Sequence, residues 1–234
     1  MSKKVARQGS GKRDASRDAN PFAGLRRRDL PQVTARVIHQ GRGYGSTVSL
    51  IEKNGQRAAV KDFYRAPGWF RVLVAPYLLS REARALRRLH GVPGVPQILG
   101  RIDRYAIVTQ YIEGTPLDHF STGELAPEVF PRVQQVIDGI HARGVSHGDL
   151  KRRSNLLLTP DGAIYLVDFA AATVGQKPLR PFTNWLQKQM ALVDDKSVPR
   201  LKKFVAPELL TPADRDKLEN PTPLEKWARR LLNR

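Results

Sequence analysis

The sequence contains no cysteine, which excludes disulfide frameworks, thiolate metal sites and cysteine nucleophiles. It also lacks a long apolar run. The longest strongly apolar stretch, Val72 to Leu79, is eight residues and contains Pro76, far short of the ~20 apolar residues of a membrane-spanning helix. The N-terminal MSKKVARQGSGKRDASRD has no apolar h-region and does not read as a secretory signal, so a cytoplasmic address is expected. Acidic residues are scarce: 22 Asp and Glu stand against 40 Lys and Arg, a net charge of +18. That imbalance predicts attraction to polyanions, whether nucleic acid, an anionic membrane face or phosphorylated substrates.

What is present suits a folded protein. A length of 234 residues with 41% hydrophobic and 26% charged content fits one domain, or two small lobes sharing an interface. The charge is unevenly placed. Residues 1–28 hold nine basic and two acidic side chains and few large apolar ones, the composition of a disordered basic tail. Phe22 is the one aromatic in the segment, so aromatics are not interleaved among the bases for stacking. A solubilising arm therefore fits the tail better than a nucleic-acid arm.

Beyond the tail, Thr34 to His39 reads as a strand, GRGYGST as a glycine turn and VSLIEK as a second strand. Asn54-Gly55 signals a hairpin into RAAVKDF. A helix is predicted over SREARALRRL, with Ser80 as N-cap and Gly91 near its end, followed by strands around 97–102 and 106–111. The second half is mainly helical. Pro127 to Arg143 carries the apolar stripe Val129, Val133, Val136, Ile137 and Ile140 and ends at Gly144. Short strands at 156–158 and 164–167 flank the turn Pro160-Asp161-Gly162, and helices are predicted over 184–192, 197–205, 212–219 and 224–232.

Three motifs carry chemistry. In Gly41-Arg42-Gly43-Tyr44-Gly45 the glycines let backbone N–H groups approach phosphates, although such a stretch also serves as a plain turn. Lys61 lies in the middle of a strand, where a lysine is costly to bury unless an anion meets it; a solvated face is the alternative. His147-Gly148-Asp149-Leu150 is followed after six positions by Asn155 and after nineteen by Asp168-Phe169. Asp149 is placed to orient a substrate hydroxyl and accept its proton. Asn155 and Asp168 are oxygen donors suited to Mg²⁺. His147 is expected to hold the loop through hydrogen bonds.

These motifs resemble the protein-kinase-like superfamily from about residue 34 to 175. The resemblance implies an α+β, bilobal kinase-like fold: an antiparallel-sheet N-lobe over 29–110 and an abbreviated helical C-lobe over 111–234. It implies ATP and Mg²⁺ as cofactors. Gly41, Gly43 and Val48 would belong to the glycine-rich loop, with Ser46 standing where a third glycine is usual. Lys61 would take the α- and β-phosphates, Glu82 would pair with Lys61, and the hinge around Gln110 and Ile112 would offer backbone groups to adenine. Asp149 would be catalytic, Lys151 would neutralise the transferring phosphoryl group, and Asn155 and Asp168 would hold metal.

HGD replaces the HRD of regulated protein kinases, so the arginine that reads a phosphorylated activation loop is absent. HGD is similar to RIO, aminoglycoside and lipopolysaccharide-sugar kinases. Asn155 lies one residue further from Asp149 than is usual, which leaves Ser154 as a rival metal ligand, and Ala170 stands where DFG has glycine. Ala206-Pro207-Glu208 is taken as a chance match to APE.

The stretch RAPGWFRVLVAPYLLSR either packs on the lobe or lies in a membrane interface. LEKWARRLLNR caps the C-lobe or joins that surface. The expected activity is phosphorylation of a lipopolysaccharide-type sugar at the cytoplasmic membrane face, with peripheral contact to anionic lipid. The alternatives are a compact RIO-like serine/threonine kinase with a protein hydroxyl acceptor, and a nucleotide-binding pseudokinase or adaptor. Nucleic acid is a lesser candidate partner.

Overall fold

The computed structural model describes residues 20–175, 181–223 and 225–226. The first half is a five-stranded antiparallel sheet in the order β1-β2-β3-β5-β4, built from β1 (Thr34–His39), β2 (Thr47–Lys53), β3 (Gln56–Asp62), β4 (Ile98–Asp103) and β5 (Ala106–Gln110). Asn54 and Gly55 both adopt positive φ (53° and 71°), the geometry of the tight turn that closes the β2–β3 hairpin. The registers Val48↔Lys61 and Lys61↔Ile107 set these three side chains on one face of the sheet. Ile51, Ala58, Val60, Ala106 and Val108 line the other face.

That outer face is covered by the chain's own N-terminal part, which corrects the tail expected over 1–28. Phe22 and Leu25 are 2% and 4% exposed and pack on Ile51, Ala58, Val60, Ala106 and Val108. Arg27 forks onto Asp62 and Asp103, with Nη1 2.7 Å from Asp62 Oδ2 and Nε 2.6 Å from Asp103 Oδ2, and it lies over the Tyr64 ring. A short helix, α1 (Leu30–Val33), then leads into β1. Residues 20–28 are therefore part of the fold; residues 1–19 lie outside the described region.

The long helix of the first half, α3 (Ala75–Arg88), begins five residues before the expected Ser80 N-cap. Pro76 falls in its first turn, where a missing N–H costs nothing and the fixed φ suits helix. The earlier start buries Ala75, Leu79, Glu82, Ala83, Ala85 and Leu86 on one side. Ahead of α3, Gly68–Leu73 forms a short helix, α2, that sequence periodicity did not announce.

In the second half, β6 (Thr115–Pro116) pairs with β8 (Leu156–Leu158), which pairs with β9 (Ile164–Leu166). Helix α4 (Val129–Ala142) buries Val129, Phe130, Val133, Ile137 and Ile140, with Val136 at the margin of the core, and stops before Gly144 at φ 69°. Strand β7 (Val145–Ser146) pairs with β10 (Thr173–Val174). Helices α5 (Pro181–Asp194), α6 (Ser197–Val205) and α7 (Pro212–Glu219) complete the described chain. Glu208 of the APE-like triplet is exposed and joins no salt bridge among the described residues. The helix expected over 224–232 lies largely outside the described residues. The mixed α+β architecture, a sheet half above a mainly helical half, is that of a bilobal kinase-like fold. The halves meet where α3, the loop 92–96 and the second-half core join one apolar cluster.

Candidate active site

Strand β3 and helix α3 bring Lys61 and Glu82 together inside the first half, both more than nine-tenths buried. Lys61 Nζ lies 2.8 Å from Glu82 Oε2 and 2.6 Å from Asp168 Oδ1. Burial alone would lower the Lys61 pKa, but the attraction of Glu82 and Asp168 outweighs it and raises the value, so the ammonium stays charged. Burial pushes the Glu82 carboxyl up, against the Lys61 charge and a hydrogen bond from the Phe169 amide. For Asp168 burial also acts upward, yet Lys61 dominates and holds the carboxyl below its ordinary value. A buried lysine without such partners would not persist as a cation.

Asp168 sits at φ 66°, in the left-handed region, and its side chain accepts from the Ala170 amide. Strain of this kind survives only where the surroundings fix it. Here Phe169 is buried and its ring lies 4.6 Å from that of His147. His147 is fully buried, which lowers its pKa and leaves it neutral at pH 7. Its Nε2 is 3.0 Å from the Val167 carbonyl, and Nδ1 accepts from the Asp149 amide at 3.4 Å. That pair of contacts assigns the proton to Nε2.

The catalytic-type loop has a second anchor that sequence reasoning missed. Asp194, at the end of α5, is buried and its carboxylate accepts from the backbone amides of His147 (2.6 Å) and Gly148 (2.9 Å). Only the fold brings residues forty-seven and forty-six positions apart together, so no local signal marked it. Gly148 has φ 82°, and a Cβ there would stand 2.7 Å from the Ala171 carbonyl oxygen. The arginine of an HRD loop does not fit this backbone.

Of the two rival metal-ligand positions, Asn155 is buried and Ser154 exposed. Asn155 Nδ2 donates to the Asp149 carbonyl at 3.0 Å, leaving Oδ1 as its remaining polar atom. With the half-exposed carboxylate of Asp168, this gives one amide and one carboxylate oxygen. Such a pair fits Mg²⁺, which takes few protein ligands and fills its octahedron with phosphate oxygens and water. No group of three His, Asp or Glu side chains gathers into an all-protein metal cage among the described residues.

Lys151 is exposed and pairs with no carboxylate among the described residues; Arg152 is the residue that touches Asp149, Nε to Oδ2 at 3.2 Å. Arg153 lies over the ring of Phe204, 4.8 Å from its centroid.

In the glycine loop, the Gly45 amide donates to the Arg42 carbonyl at 3.0 Å. A Cβ at Gly41 would fall 2.4 Å from the Gly45 carbonyl carbon, and Gly43 holds φ 58°, so the turn admits no side chain at Gly41. Tyr44 at its tip meets Trp69 and Phe70 of α2, ring centroids 5.4 and 5.1 Å away. The apolar insert thus divides. Phe70, Ala75, Leu78 and Leu79 pack on the lobe, while Trp69, Val72, Leu73 and Tyr77 remain exposed.

At the hinge, the Gln110 amide is bonded to the Gln97 carbonyl at 2.7 Å, so its N–H is already engaged. Ile112 follows in the half-buried connection between the two halves. A groove of about 550 Å³ between Pro93, Val136 and Gly162 contains none of these residues.

No family model matches the chain. Over 165 residues it is 28% identical to a probable SapB synthase of Streptomyces coelicolor, covering 61% of this chain and 18% of that protein. It is 38% identical over 95 residues to a probable bifunctional tRNA threonylcarbamoyladenosine biosynthesis protein of Methanosarcina acetivorans (41% of this chain, 15% of the relative). It is 36% identical over 109 residues to the serine/threonine-protein kinase PknH of Mycobacterium tuberculosis (42% and 17%). The chain therefore matches less than a fifth of the length of each of these relatives. None of the three is described as a lipopolysaccharide-sugar kinase. Together with the sheet, the buried Lys61–Glu82 pair and the HGD loop, the similarity points to the kinase-like superfamily at large.

Proposed function

We propose that the protein is an ATP- and Mg²⁺-dependent phosphotransferase that phosphorylates a hydroxyl of a lipopolysaccharide-type sugar at the cytoplasmic face of a membrane. The observation that carries the transfer is the contact of one buried ammonium, Lys61, with both Glu82 and Asp168. Lys61, kept charged by those carboxylates, binds the triphosphate. The loop over Gly41 and Gly43 lets backbone amides approach it, Val48 flanks the purine, and the hinge at Gln110 and Ile112 faces its edge. Asp168 and Asn155 would hold magnesium, which supplies charge neutralisation at the phosphate oxygens.

Asp149 orients the acceptor hydroxyl and receives its proton. The hydroxyl oxygen bonds to the γ-phosphorus as the bond to the bridging oxygen breaks, and the electron pair leaves with ADP. Lys151 screens the transferring group. Positioning and electrostatics supply nearly all the acceleration in this chemistry.

Two features support a lipid-borne, anionic acceptor. Lys151 and Arg153, two and four residues beyond Asp149 in the chain, have no carboxylate partner among the described residues. The Arg152–Asp149 pair is solvent-exposed on the arginine side and so is weak enough for an anionic acceptor to displace. The second feature is the exposed Trp69, Val72, Leu73 and Tyr77, which suit a headgroup interface. A protein acceptor is the second reading, favoured by the similarity to a serine/threonine-protein kinase.

Transfer of label from [γ-³²P]ATP to a cell-envelope extract and to a soluble-protein extract, with Asp149→Ala as control, separates them. Label in a lipid-linked product, lost in Asp149→Ala, is the expected result. Label only in protein favours the second reading. Label in neither, despite Mg²⁺-ATP binding, leaves a nucleotide-binding pseudokinase.

A further inference from the structure

Arg81 precedes Glu82 on α3, and its side chain turns to the backbone just beyond Asp168. Nε donates to the Ala172 carbonyl and Nη2 to the Ala171 carbonyl, each at 2.6 Å. One planar fork thus ties the helix that bears Glu82 to the helical turn that follows the candidate metal ligand. Lysine, a point charge with rotatable donors, lacks that rigid planar fork.

The same short segment is fixed from other sides by backbone contacts. The backbone at Gly148 presses on the Ala171 carbonyl so closely that a Cβ would come within 2.7 Å. Thr173 and Val174 pair with Ser146 and Val145. Asp168 itself is held at φ 66°, so the conformation that sets its carboxylate on Lys61 depends on how the next few residues are held.

We propose that Arg81 is a positioning residue: its fork on the 171 and 172 carbonyls keeps Asp168 beside Lys61, so that the metal-binding half of the site is assembled without phosphorylation of the chain. Gly148 removes the arginine through which HRD kinases sense a phosphorylated segment, and Arg81 performs the fastening from the opposite side, through α3. The proposal rests on the reading of Asp168 as a magnesium ligand.

The test compares wild type, Arg81→Gln, Arg81→Lys and Asp168→Asn as full chains, by ATP affinity in Mg²⁺ and in EDTA and by amide hydrogen exchange over 169–174. Arg81→Gln is expected to lose about tenfold or more of the gain in ATP affinity that Mg²⁺ brings, the worth of one charge-assisted hydrogen bond or more. It should keep its affinity in EDTA and exchange the 169–174 amides faster, while Arg81→Lys falls between it and wild type. A merely structural arginine would weaken both affinities alike. An unchanged Mg²⁺ gain, or unchanged exchange over 169–174, overturns the proposal. If wild type shows no Mg²⁺-dependent affinity, the reading of Asp168 fails, and exchange alone decides whether Arg81 fastens the segment. Should Arg81→Gln not fold, Arg81→Lys carries the same comparisons.

Discussion

Asp168 and Glu82 share one lysine, and that economy ties the site to the packing around it. Lys61 and Asp168 were legible in the sequence because a strand lysine and a DF pair are short, spaced signals. Glu82 was legible only through the resemblance, since its helix neighbours Arg81 and Arg84 also allow a solvated face. Asp194 and Arg81 left no local trace: each acts on a backbone group that only tertiary structure delivers.

The burial of neutral His147 has a consequence at this scale. Its folded pKa lies below the 6.5 of an exposed imidazole. The unfolded chain therefore takes up a proton below about pH 6.5 that the folded one refuses, and stability present above that pH is lost as the pH falls. Denaturant titrations at pH 7.5 and 5.5 should show wild type losing stability on acidification, and His147→Gln losing less. Equal losses would mean that the imidazole is not buried neutral.

At the scale of elements, the strands of the five-stranded sheet and the helix α4 were readable because their signals are local: Asn54-Gly55 for the hairpin, a 3.6-residue apolar stripe and Gly144 for the helix. The start of α3 was misread because Ser80 offers a plausible N-cap, whereas the helix begins earlier with Pro76 in its first turn, where proline is a good helix residue. The N-terminal boundary was misread for a different reason. Two anchors, Phe22 and Leu25, are diluted by surrounding charge, and composition averages over them. Their burial against β2, β3 and β5 makes residues 20–33 a cover for the sheet. Phe22→Ala should cost about 3–5 kcal/mol of unfolding free energy, the usual penalty for truncating a fully buried phenylalanine. A change below about 1 kcal/mol, the range of an exposed position, would contradict the cover.

For the whole molecule, the surplus of positive charge now has a distribution. Arg27, Lys61, Lys196, Arg200 and Lys202 are paired internally, while Lys151, like Arg65, Arg84 and Arg104, has no carboxylate partner among the described residues. If the exposed face of α2 and the start of α3 meets anionic lipid, sedimentation with vesicles containing phosphatidylglycerol should exceed that with neutral vesicles and weaken at high salt, with each well-placed base contributing about 1 kcal/mol. Trp69→Glu together with Leu73→Glu should reduce it further. Binding that ignores both lipid charge and these substitutions would remove the membrane from the account.

We propose that Lys61, Asp149 and Asp168 together carry the transfer of the γ-phosphoryl group of ATP to a hydroxyl. ³¹P NMR of Mg²⁺-ATP incubated with the protein and a cell-envelope extract tests it directly. ADP should accumulate with a new phosphoester resonance, and both should vanish in Asp149→Asn and Lys61→Met. ATP left unchanged by wild type, or turnover in Asp149→Asn at the wild-type rate, would contradict it.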